Sequence, residues 1–93
     1  MVMKMKNKVL IKVIVPETDD SFDIFIPVNE VIWKIKRFII KGISDLSSGT
    51  VSINDDYCFM NLDTSVIYDN NQIVIDTDIR NATELVLLKI NKL

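Results

Sequence analysis

A chain of 93 residues, 48% hydrophobic and 26% charged, carries enough apolar material for one folded domain and too little length for two. With no histidine and a single cysteine, it offers no intramolecular disulfide, no all-thiolate metal cage and no imidazole-based triad, and no cofactor or metal is expected. Lys and Arg number 11 against 13 Asp and Glu, and the resulting net charge of -2 has the wrong sign for a phosphate backbone, so nucleic acid is not an expected partner.

The first residues resemble a charged and then apolar leader, but Lys4, Lys6, Lys8 and Lys12 interrupt the apolar run and no small-residue cleavage site follows. Residues 1–8 are therefore expected as a flexible or edge-strand segment. No stretch approaches the roughly 18 apolar residues of a membrane span. A lone thiol suits a reducing compartment, which makes the cytoplasm the expected address, with no membrane insertion.

The β-branched run from Val9 to Val15 stops at Pro16, and Thr18, Asp19 and Asp20 supply turn chemistry before a second run from Phe22 to Ile26. A hairpin follows. Lys12 and Asp23 mark its outward parity, which sends Val9, Ile11, Val13, Val15, Phe22, Ile24 and Ile26 to the core and leaves Leu10, Ile14 and Phe25 outside. Pro27 ends the second strand, and Asn29 is the expected cap of a helix whose first turn Glu30 complements. From Val31 to Leu46 the positions Val31, Ile32, Ile35, Phe38, Ile39, Ile43 and Leu46 keep helical spacing, with Gly42 as a close-packing residue in the same stripe. Gly49 is the expected helix stop.

Residues 57–62 read as a strand, 63–65 as a turn and 66–68 as a short returning strand. After a polar loop, residues 73–79 cross over with Asp76 capping a single helical turn, and Asn81, Ala82 and Thr83 turn into a last strand from Glu84 to Ile90. Ile79, Leu85 and Leu87 complete the expected core. A hairpin whose first strand needs the last as partner, under one long helix, is an α+β roll with a mixed sheet of four to five strands.

That order, together with the stretch from Asp76 to Leu88, resembles the ubiquitin-like β-grasp, in which an Asp-x-x-Ile turn anchors the crossover and a Thr-x-Leu-x-Leu type strand closes the sheet. The resemblance spans residues 9–89, and the ubiquitin-like domain is expected over residues 9–90. The passage from Asp23 to Val28 and the one from Ile79 to Leu85 resemble most the bacterial YukD/EsaB-like group, associated with type VII (WXG100/ESAT-6) secretion. The resemblance implies a non-conjugated, non-catalytic accessory or regulatory factor that binds protein partners, secretion-system components among them, or a weak homodimer. The rival from another class is a sulfur carrier or protein modifier activated by an E1-like enzyme. Such proteins end in Gly-Gly, because only an unhindered terminus reaches the adenylating centre, and residues 91–93 here read Asn-Lys-Leu. Intact mass after incubation with ATP and a cognate E1-like protein separates the two readings.

Two apolar surfaces carry the interaction reading. On the outer sheet face Leu10, Ile14 and Phe25 should meet Val86 and Leu88, with Met60 near the centre of the patch that the family uses for recognition. On the helix, Trp33 and Ile40 fall opposite the Ile35/Ile39 stripe, flanked by Lys36 and Arg37. Either the amino-terminal segment or residues 47–56 cover this pair, or it is a secondary partner surface. Cys58, without a histidine to activate it, reads as a packed interior thiol, and the Asp pairs 19/20, 55/56 and 76/78 read as turn chemistry.

Overall fold

The computed structural model describes residues 7–47, 51–52 and 55–90. The expected helix stop Gly49, residues 1–6 of the expected amino-terminal segment and the tail 91–93 lie outside them. The elements in chain order are β1 (Lys8–Val15), β2 (Asp20–Pro27), α1 (Ile32–Leu46), β3 (Tyr57–Asn61), a single 3-10 turn (Val74–Asp76) and β4 (Glu84–Lys89). The four strands form one mixed sheet in the order β2-β1-β4-β3. β1 pairs antiparallel with β2 and parallel with β4, and β3 pairs antiparallel with β4. This is the α+β roll expected of a β-grasp, with four strands among the described residues.

The alternation of β1 decides which face the helix covers. Ile11, Val13 and Val15 are buried, and Ile26, Ile32, Ile35, Ile39, Ile43, Phe59, Ile79, Leu85 and Leu87 join them in one cluster. Val9, Phe22 and Ile24 pack against its margin but stay partly exposed. Val51, Tyr57, Tyr68 and Val74 extend the core into segments where no periodicity marks them.

The helix phase departs from the expected stripe. Ile40 is buried, whereas Phe38 and Leu46 are 75% and 72% exposed and Gly42 lies on the solvent side. At about 100° per residue, the apolar arc from Phe38 through Ile43 to Trp33 spans roughly 220°. A sheet of four strands covers only part of so wide an arc, and the Phe38 shoulder is the part it leaves out.

Asn29 does not cap α1. The N-cap position is Val31, in extended conformation with no side-chain cap. Residues 28–30 turn against the crossover and Val31 is extended beside it: the amides of Val74 and Ile75 donate to the carbonyls of Glu30 (3.1 Å) and Val28 (2.7 Å), and Val31 bridges Ile73. The helix therefore starts at Ile32, and its first free N–H groups donate to the carbonyls of Gln72 (2.8 Å, from Ile32) and Asn70 (3.1 Å, from Trp33). Asp76 likewise ends the 3-10 turn instead of capping it. Thr77 closes that turn, its hydroxyl donating to the Val74 carbonyl at 2.6 Å and accepting from the Ile79 amide at 3.1 Å.

The returning segment 66–68 forms no strand of its own. It docks on β3 by a Met60–Ile67 bridge and two flanking amides, Asn61 to the Val66 carbonyl (2.8 Å) and Tyr68 to the Phe59 carbonyl (3.1 Å). The buried Asn61 organises the turn between them. Its Oδ1 accepts from the amides of Asp63 (2.9 Å) and Thr64 (3.2 Å), and its Nδ2 donates to the Tyr68 hydroxyl at 3.2 Å. Tyr68 in turn donates to the Asp78 carboxylate, tying this corner to the last turn before β4.

Candidate interaction surfaces

Strand register places the outer-face side chains in rows across the sheet. One row pairs Phe25 of β2 with Leu10 of β1. The next runs Asp23, Lys12, Glu84. The third runs Ser21, Ile14, Val86, Met60, and beyond it Leu88 stands opposite Cys58. The six residues expected to form one apolar patch are therefore two patches separated by a charged row. Sequence alternation gave each residue its face, but only the parallel pairing of β1 with β4 aligns Lys12 with Glu84.

Exposure differs sharply between the two. Phe25 is 54% and Leu10 38% exposed, while Ile14, Met60 and Leu88 are half-buried. Val86 was expected as an exposed member and is buried, at 6%, because β4 is a central strand and Ile14 and Met60 flank it on this face. Cys58 is half-buried on this face too, not in the interior. Beside Leu10 the last turn closes the surface. The Leu10 amide donates to Asn81 Oδ1 at 2.9 Å, and the Ala82 amide donates to the Leu10 carbonyl at 2.8 Å. Ala82 makes this bend with a φ of 72°. The result is a dish of about 670 Å³ bounded by Leu10, Phe25, Lys12, Asp23, Asn81 and Glu84. An apolar floor rimmed by both signs of charge suits a protein surface better than a small anion or cation.

The helix surface proposed around Trp33 splits as well. Ile40 is buried and belongs to the core cluster that also holds Val51 and Tyr57. Trp33 remains 41% exposed, with the Lys34 ammonium 5.7 Å from its ring centroid. Beside it Lys36 donates to Asn70 Oδ1 at 2.6 Å, and burial lowers the Lys36 pKa against the opposing pull of Cys58 and Asp56. Arg37 is exposed on the rim of this pocket, which Asp55 and Asp56 also line.

A third surface escaped sequence reasoning. A groove runs between β2 and α1, with stretches of about 510 and 530 Å³ that share Phe38. The one signal that marks it in the sequence is the excess width of the apolar arc of α1. Among the described residues no three His, Cys, Asp or Glu side chains gather as a metal site, and no helix is long and apolar enough to cross a membrane.

Known structures share this arrangement of one helix and four strands. The chain has the ubiquitin-like β-grasp fold. The ubiquitin-like domain of the Mycobacterium tuberculosis type VII secretion system protein EccD1 superposes with a TM-score of 0.67 at 10% identity, over 87% of this chain and 97% of that one. The EccD5 ubiquitin-like domain from Mycobacterium xenopi gives 0.74 at 10% identity, over 92% and 98%. A chain of the MycP5-free ESX-5 inner membrane complex gives 0.74 at 13% identity, over 94% of this chain and 22% of that much longer one. Ubiquitin-like domains of type VII secretion components are thus among its structural neighbours. No family model and no curated protein sequence matches the chain.

Proposed function

We propose that this β-grasp is a non-catalytic protein-interaction module, an accessory or regulatory factor of a type VII-like secretion machine that works on the cytoplasmic side. The observation that carries the reading is the Phe25/Leu10 dish: large apolar groups held open at the sheet surface by strand pairing and a hydrogen-bonded turn, with a mixed-charge rim. The shared fold of the EccD ubiquitin-like domains and of a chain of the ESX-5 membrane complex supports the assignment to secretion. Phe25 and Leu10 act as anchors, the row Asp23, Lys12, Glu84 sets orientation, and Ile14, Met60 and Leu88 add a second, flatter contact across Val86.

The test is site-specific photo-crosslinking from position 25 in cells that produce the native chain. Adducts with a component of the secretion machinery are expected. Phe25→Asp should weaken capture of that component by more than tenfold, about 1.4 kcal/mol, with the thermal midpoint nearly unchanged. Normal secretion in a deletion strain, or capture indifferent to Phe25→Asp, overturns the proposal.

A further inference from the structure

We infer that the exposed row of α1 from Trp33 to Lys41 docks an acidic segment of a partner protein, one apolar side chain on Trp33 followed by carboxylates on Arg37 and Lys41. Helical spacing builds the row. Trp33, Arg37, Lys41 and Asp45 recur every fourth residue and are all exposed, so they stand in line along the solvent side of the helix, each about 6 Å from the next. Trp33 is the single tryptophan of the chain and is 41% exposed. Tryptophan and arginine are the residue types that most often anchor a protein contact.

Beside the row lies a pocket of about 510 Å³, with Trp33, Arg37 and Lys41 on the helix side and Asp55 and Asp56 on the other. The two sides are not equivalent. Asp55 is ion-paired with Lys89 at 3.3 Å, and Asp56 acts on the Lys36 ammonium, whose charged form it favours, so both carboxylates already face cations of their own chain. Arg37 and Lys41 make no ion pair among the described residues. A chain of net charge -2 thus keeps two unmatched cations next to its one tryptophan.

Charge and shape select the occupant. A phosphate backbone or an anionic bilayer would press on Asp45, Asp55 and Asp56 as well as on the cations, and a flat bilayer does not enter a pocket. A basic segment would meet Arg37 and Lys41 directly. A peptide can place its groups one at a time. Alternate residues of an extended chain are about 6.7 Å apart, close to the step of the row. The pattern apolar, acidic, acidic at alternate positions therefore lays a side chain on the Trp33 ring and a carboxylate on each cation, Arg37 being able to hold its own through two parallel N–H bonds. Asp45 ends the row and repels a third acid.

The single tryptophan reports on its own site. The whole chain is titrated with a synthetic peptide carrying one leucine and then two glutamates at alternate positions, with serines between. Trp33 emission should move to shorter wavelength and be shielded from iodide, with half-saturation between about 10 µM and 1 mM that weakens severalfold as salt rises from about 0.05 to 0.5 M. Arg37→Glu with Lys41→Glu should weaken binding tenfold or more, and the peptide with lysines in place of glutamates should bind that double variant and not the native chain. Should the double variant fail to fold, the salt dependence and the lysine peptide on the native chain still decide. Phe25→Asp, on the outer sheet face, should leave binding unchanged, which separates this site from the proposed secretion contact. No change in Trp33 emission up to about 1 mM peptide, equal binding of the glutamate and lysine peptides, or a shift given by phosphatidylglycerol vesicles and not by the peptide overturns the inference while leaving the secretion reading standing on its own test.

Discussion

At Gly42 an added Cβ would meet no atom within 4 Å beyond its own stretch of helix. Nothing in the fold needs this glycine, so it only adds backbone freedom to the unfolded chain, and Gly42→Ala should raise stability by about 0.5–1 kcal/mol in chemical denaturation. The buried tyrosines give a pH signature. Burial, and then the carboxylates of Glu17 and Asp78 that accept their protons, push the hydroxyls of Tyr57 and Tyr68 up from 10.0 to about 12. A pKa raised on folding contributes stability that is whole below the unfolded value of 10.0 and lost as pH climbs through about 12. The thermal midpoint of the native chain should therefore fall more steeply across that window than that of the Tyr57→Phe, Tyr68→Phe double variant. Parallel slopes would show that the two hydroxyls ionise with no cost to the fold.

At the scale of elements, α1 is where sequence and structure part. The hairpin, the closing strand and most of the core were legible because a period of two, marked by Lys12 and Asp23, leaves one choice of face. The helix offered an apolar arc too wide to have one centre, so spacing alone admitted Phe38 and excluded Ile40. Its start was hidden for a different reason: the crossover residues 73–75 pair with 28–31, a contact made some 45 residues along the chain, and this pairing displaces the local cap at Asn29. The corrected phase is open to mutation. Ile40→Ala, like Ile35→Ala, should cost about 2–5 kcal/mol, and Phe38→Ser should stay within about 0.5 kcal/mol of the native chain. On the sheet the same contrast separates Val86→Asp, which buries a charge and should abolish folding, from Phe25→Asp, which should fold normally. Near-equal midpoints for those two variants would refute the burial of Val86.

The whole molecule is organised around the pairing of its first and last strands. The interaction dish depends on that pairing too, since the turn that closes it reaches Leu10 from residues 81 and 82. Alternation could place Leu10 and Phe25 together from local sequence, but the charged row beside them and the turn above them join residues some 70 positions apart, beyond any local pattern. The parallel ladder of Val13 with Leu85 has a consequence during synthesis. A ribosome must release the chain as far as β4 before the centre of the sheet can close, so the β1–β2 hairpin waits with both of its edges bare and its apolar face uncovered. Nascent chains arrested before β4 emerges should therefore be captured by chaperones and digested readily by protease, and release of some fifteen further residues should abolish both.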